Sequence, residues 1–395
     1  EVEKTLIGDL FDNQNCIKFG IEVSYPDTQI EPVKTRWDEN VFKASYSYEW
    51  IKNNLDYMTL FHNFRFLFKY TDYFGRIELV SKAQEMDPFE RIFMHSKYDY
   101  LYGSVFNRKN HLSLIQIISY AKVLENNNID IETIISYFFT DYLSKQFGID
   151  GYIINIPSKK STWLEKVRMI APEFEFILKQ YKVFVEDGLI NQALLQIGSE
   201  PCHFKEIPSL MNKKYAYGTG EKLDRIKYLF FSDQSPLKYV EAVEKKYDNL
   251  YMLLENENVL FDIFENFQKP GIELLIQDGY LIIDDEGYVR ICKPIDLIII
   301  GDLFKNEVIS YWQLPSTYRE VVDAMALCEM VIFEDTLFSI PEQKYFSYYL
   351  NKSVFANGLD LRNKYVHGSN GDTEEEHRSS YFIFLELIIF SYAKN

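Results

Sequence analysis

Cysteine is scarce in this chain, with 4 among 395 residues, and Cys16, Cys202, Cys292 and Cys328 lie far apart. That spacing excludes the close pairs that a structural zinc site or a dense disulfide framework requires, and it fits a reducing, cytoplasmic setting. Basic residues are outnumbered, 42 against 59 acidic, for a net charge of -17. A surface that grips duplex nucleic acid broadly is thereby excluded, and any contact with nucleic acid has to be local. No stretch reaches the roughly 18 uninterrupted apolar residues of a membrane helix, so no membrane partner is expected. The opening "EVEKTLIGDLFDNQN" carries charges where a signal peptide needs an apolar run. The numbering starts on Glu1 rather than Met, so native residues can precede it.

Core-forming residues are plentiful. With 47% apolar and 16% aromatic residues, the chain can build two or three domains with sizeable interiors. The expected class is α+β, mainly α. Residues 1–85 read as a small β-rich or mixed unit, with extended segments such as "CIKFGIEVSY" at 16–25 and "GRIELVSK" at 75–82. Residues 86–294 read as a mainly helical middle region. "HLSLIQIISYAKVLE", "DIETIISYFFTDYLSKQF" and "APEFEFILKQYKVFVEDG" repeat apolar residues at helical spacing, the last stopping at Gly188, and "GYIINIP" reads as one short strand. The region closes on 272–292, "IELLIQDGYLIIDDEGYVRIC", where two apolar runs flank "DDEG". That predicts a β-hairpin with Gly287 at the left-handed turn position, suited to be the wing of a winged-helix module or an ordinary hairpin packed on helices.

Residues 295–395 read as a helical domain, with helices at about 295–312, 316–334, 341–354, 360–367 and 373–393. Thr373 and Glu376 have capping-box spacing, and "YFIFLELIIFSYA" is apolar enough to require burial within the chain or against a second subunit. Before that last helix stands "GLDLRNKYVHGSNGD", residues 358–372. Asp360 can cap a short helix, Leu361 and Val366 can face the core, and Gly368 can end the helix in a left-handed conformation. Five positions on a straight helix separate Arg362 and His367 by about 140°, an awkward pairing. Ending the helix at His367 lets the ring swing and relieves that constraint. In a chain with 11 Arg and 6 His, the bare spacing arises by chance about once in six sequences. Its weight comes from Asn363, Leu361, Gly368 and the apolar helix that follows.

"LRNKYVHG" in this setting resembles the signature of the HEPN superfamily (higher eukaryotes and prokaryotes nucleotide-binding domains), whose ribonuclease members carry Arg, four to six residues, then His, often with Asn after the Arg. The resemblance covers about the last 100 residues only. It implies an HEPN-like helical bundle, functional positions at Arg362, Asn363 and His367, and a homodimer with two motifs facing across a groove. The residue chemistry agrees. Histidine titrates near neutrality, so His367 suits proton transfer at a ribose 2′-hydroxyl or a leaving 5′-oxygen. The forked, permanently charged guanidinium of Arg362 suits the charge that builds on phosphoryl oxygens. Asn363 would support, bonding to His367, the phosphate or a facing helix, while Lys364 and Tyr365 are packing residues or RNA contacts.

Other motifs carry less. "DTEEEH" at 372–377 reads as a solvated helix start rather than a metal site, and neither metal nor cofactor is expected. "YGTGEKL" at 217–223 lacks phosphate-loop spacing. The basic stretch from Lys205 to Lys227, with Tyr215 and Tyr217, is a solvated loop or an RNA-binding patch. The expected function is a metal-independent endoribonuclease acting on RNA, of the toxin or abortive-infection kind in antiviral defence, with an antitoxin or a phage-derived trigger as further partner. The competing readings are a non-catalytic HEPN-like RNA- or protein-binding or dimerisation module, and a winged-helix regulator.

Overall fold

A computed structural model of the chain describes residues 19–87, 89–90, 98–197, 203–366, 368, 373–392 and 394. It is 53% helix and 11% strand, an α+β fold that is mainly α. The backbone falls into two compact units: residues 1–210 together with 340–395, and residues 211–339. The expected helical domain at 295–395 is therefore divided, its first part belonging to the inserted unit and its last part returning to the first. Sequence periodicity registers helices but not which distant elements they pack on, so it placed this boundary wrongly.

The first unit opens with a three-stranded sheet. β1 (Gly20–Ser24) runs parallel to β3 (Val41–Tyr46), and β2 (Val33–Asp38) pairs antiparallel with β3 from the other side. Alternation along β1 and β3 buries Ile21, Val23, Ala44 and Tyr46. The expected extended segment at 75–82 forms only an isolated bridge, Thr71 with Ile77. Two short helices follow, α1 (Tyr48–Lys52) and α2 (Tyr57–Phe66), capped by Ser47 and Asp56. Then come α3 (Ser104–Asn126), α4 (Ile131–Tyr137), a π-helical turn (Phe138–Tyr142), α5 (Leu143–Phe147), α6 (Trp163–Asp187) and α7 (Gln192–Ile197).

α6 starts on a full capping box, Thr162 with Glu165, and stops at Gly188, whose φ of 76° is the left-handed conformation expected there. "GYIINIP" is not a strand. The buried amide of Gln180 instead takes both backbone groups of Ile153, accepting from its N–H at 2.8 Å and donating to its carbonyl at 2.8 Å. One side chain thus replaces a neighbouring strand.

The inserted unit contains β4 (Tyr215–Gly218), α8 (Glu221–Phe231), α9 (Leu250–Asn256), α10 (Lys269–Gln277), β5 (Leu281–Ile283), β6 (Val289–Ile291), α11 (Pro294–Asn306), β7 (Ile309–Ser310), α12 (Ser316–Leu327) and β8 (Val331–Glu334). The expected hairpin is present as β5–β6, with Gly287 at φ 88° in the turn and Asp284 accepting from the backbone of Glu286 and Tyr288. Its first expected run, "IELLIQ", is instead the helix α10.

Two stretches of this unit share an order of elements, fifty positions apart. In each, a helix is followed by a 3-10 turn, a second helix, a left-handed residue and a strand; a short strand, β7, precedes the 3-10 turn in the second and an isolated bridge at Leu260 in the first. The 3-10 turns are Phe261–Ile263 and Tyr311–Gln313, the left-handed residues Gly279 (φ 78°) and Glu329 (φ 58°), and the closing strands β5 and β8. Tyr280 N donates to Leu275 O, and Met330 N to Met325 O, both at 3.0 Å. Buried residues match as well: Ile272 with Val322, Leu275 with Met325, Leu281 with Val331. In the first stretch Leu260 is bridged to Tyr288 next to β6; in the second, β4 takes that place between β7 and β8. The helix expected over 316–334 ends at Leu327 for this reason, because the left-handed turn delivers "VIFE" to β4.

The chain returns to the first unit with α13 (Ile340–Leu350), α14 (Leu361–Val366) and α15 (Glu374–Tyr392). α15 packs along α6 and α3, and α14 lies on α6. Tyr345 and Tyr349 of α13 both donate to Asn110 Oδ1 of α3 at 2.8 Å. The apolar stripe of α15 is buried within this unit: Phe384, Leu385, Leu387, Ile388 and Phe390 are inaccessible to solvent. Burial of that kind contributes about 1.5–3 kcal/mol per large side chain. Among the described residues, no helix is long and apolar enough to cross a membrane.

Candidate active site

α14 is a six-residue helix set on a strained entry. Asp360 holds φ 55°, and its Oδ1 accepts from Lys352 N at 3.2 Å while its carbonyl accepts from Lys364 N at 3.0 Å. The exit is Gly368 at φ 92°, the left-handed terminator expected from the sequence. Leu361 is buried as expected, but Val366 is exposed and Tyr365 is buried in its place. Tyr365 anchors the helix, its hydroxyl 3.1 Å from both His377 Nδ1 and Ser380 Oγ on α15. Burial pushes that hydroxyl above its ordinary pKa. Tyr365 is thus a packing residue, and His377 is committed to it. Among the described residues, no cluster of His, Cys, Asp and Glu could hold a metal ion.

Arg362 sits at the second position of α14, where its Nε donates to Glu175 Oε2 on α6 at 2.9 Å. The other carboxylate oxygen of Glu175 lies 3.1 Å from Lys179 Nζ. One acid thus holds two cations. The bond to Nε fixes the plane of the guanidinium while its terminal nitrogens carry the remaining donors. Asn363 behaves differently from expectation. Its Nδ2 donates to Asp360 Oδ1 at 2.8 Å, so the amide is engaged at the entry turn of its own helix. His367 lies outside the described residues.

A groove of about 520 Å³ opens beside the motif, lined by Arg168, Pro172, Tyr365, Val366 and Gly368. The last two flank position 367 in the chain. Pro172 lies inside α6 and has no N–H to give the carbonyl four residues back, that of Arg168, so the helical ladder is interrupted at the groove wall. Arg168, Pro172, Glu175 and Lys179 follow one another at four-, three- and four-residue steps, placing them on one face of α6. Of these, Arg168, Glu175 and Lys179 escaped the sequence reading. Only that helical spacing could have grouped them, and nothing local ties them to a motif so far along the chain.

The basic stretch between Lys205 and Lys227 is not a stacking surface. Tyr215 and Tyr217 are buried in β4. Lys222 and Arg225 pair with Asp278, and Lys213 pairs with Asp323. α10 and α12 carry Lys269 and Arg319 beside Glu273, Glu320 and Asp323, which does not make a basic recognition helix.

No family model, no curated protein and no solved structure matches the chain.

Proposed function

We propose that the chain is a metal-independent endoribonuclease of the HEPN type that acts in the cytoplasm as a toxin or abortive-infection effector of antiviral defence. The observation that carries this reading is the placement of Arg362. It is oriented by Glu175, on a short helix ended by left-handed Gly368, beside a groove whose lining includes both sequence neighbours of position 367. In this reading RNA enters the groove with a phosphate on the terminal nitrogens of Arg362, and Arg168 adds positive charge at the wall. His367 moves the proton of the 2′-hydroxyl, which attacks the adjacent phosphorus and expels the 5′-oxygen, leaving a 2′,3′-cyclic phosphate. Asn363 stabilises the entry turn of α14, a supporting role narrower than contact with substrate. A second copy of the chain supplies the facing motif, and an antitoxin or phage-derived trigger controls access.

The test is cleavage of total RNA in chelator by wild type, Arg362→Ala and His367→Ala, with circular dichroism to verify folding. Wild type is expected to cut and both variants to lose at least about a hundredfold in rate. A non-catalytic binding module is favoured by the net charge of -17 and by the carboxylate resting on Arg362. It predicts RNA or protein binding, or self-association, without cleavage in any preparation.

A further inference from the structure

A second recess lies in the first unit, away from the motif. It encloses about 190 Å³ between α2, the π-helical turn, the start of α5 and the end of α15. Aromatic rings make much of its wall: Phe61 and Phe138 stack on each other at 5.1 Å with a 30° interplanar angle, and Tyr142 and Phe390 are also among the lining residues. A wall built from aromatic rings favours a planar ligand.

Two features distinguish the recess from a packing defect. The first is the π turn. Leu143 N donates to Phe138 O, five residues back, and this insertion carries both Phe138 and Tyr142 into the wall. Such turns are rare and frequently mark functional sites. The second is Thr71, a lining residue only 6% exposed, whose Oγ1 has no hydrogen-bond partner among the described residues. A buried hydroxyl left unmet is costly, and a ligand acceptor would meet it. At the rim, Arg65 is exposed with its guanidinium 5.6 Å over the Phe66 ring. His62, which also lines the recess, is held below its ordinary pKa by burial and by Arg65, so near neutral pH the cation at the mouth is the arginine.

The geometry points to a binding site for a small planar aromatic carboxylate, its ring against the wall that Phe61, Phe138 and Phe390 contribute to and its carboxylate toward Arg65 and the Thr71 hydroxyl. Size sets the class. An apolar cavity of about 150 Å³ accepts benzene, so 190 Å³ accommodates one ring with a carboxylate. The site is separate from the proposed nuclease groove and does not depend on that function.

The test uses the full chain with benzoate and its neutral isostere benzamide at millimolar concentrations, read by calorimetry and thermal unfolding. Benzoate is expected to bind and raise the unfolding temperature, with benzamide about tenfold weaker. Arg65→Gln, at an exposed position, should abolish the preference for benzoate, and Thr71→Val should weaken both ligands. Absence of binding by either compound to wild type, or a benzoate preference unchanged in Arg65→Gln, overturns the assignment.

Discussion

Replacing Glu386 by Gln should flatten the pH dependence of stability in the helical bundle. Glu386 lies on α15, 2% exposed, and its Oε1 meets no hydrogen-bond partner among the described residues. Burial pushes its pKa from an ordinary 4.5 up to about 8, against a smaller opposing effect from its hydrogen bond with Ser113. Between these values the folded chain retains a proton that the unfolded chain releases. Stability from this group is therefore complete below pH 4.5 and is lost as pH rises toward 8. Integrating the difference in bound protons from pH 5 to 8 gives a loss on the order of 3 kcal/mol. Glutamine keeps the shape and neutrality of the protonated acid at every pH. The variant should match wild type at pH 5 and exceed it by about 3 kcal/mol at pH 8. Urea unfolding at several pH values, with hydrogen exchange of peptides from 374–392 to localise the effect, measures this. Parallel curves for the two proteins would refute the protonated, buried state.

Three further outcomes follow from named contacts. Lys394→Ala removes the partner of Glu342, whose carboxylate is 1% exposed and also accepts from Ile77 N, so it should destabilise the first unit by about 3–5 kcal/mol in denaturant titrations. In the two similar stretches of the inserted unit, Glu329→Gly should stabilise by up to about 1 kcal/mol and Gly279→Ala should destabilise by a similar amount, because both positions hold left-handed backbone. Equal, negligible shifts at both would contradict their equivalence. Glu175→Gln keeps a hydrogen-bond acceptor for Arg362 but removes the charge; in the proposed enzyme it should lower kcat through misorientation more than it raises KM, whereas an unchanged kcat would remove Glu175 from the site.

Local signals proved legible where the physics is local. Gly188, Gly287 and Gly368 stop a helix, make a turn and end α14 with positive φ, as their neighbours in the sequence indicated. The apolar stripe of α15 foretold its burial. Where partners lie far apart in the chain, the reading failed. "VIFE" at 331–334 reads as helix until β4 pairs with it, and "GYIINIP" reads as strand because the amide of Gln180 is invisible to local patterning. The inserted unit went unrecognised because its two similar stretches share an order of turns and buried positions rather than identical residues. At the candidate site, Arg362 was legible from its motif, while Glu175 and Arg168 emerge only when α14 is laid on α6.

The central claim rests most directly on the chemistry of the cut ends. Wild-type protein incubated with RNA in chelator should yield fragments ending in 2′,3′-cyclic phosphate or its hydrolysed product, and the Arg362→Ala/His367→Ala double variant should yield none while remaining folded. Cleavage that persists in the double variant, or that requires added metal, would contradict the account.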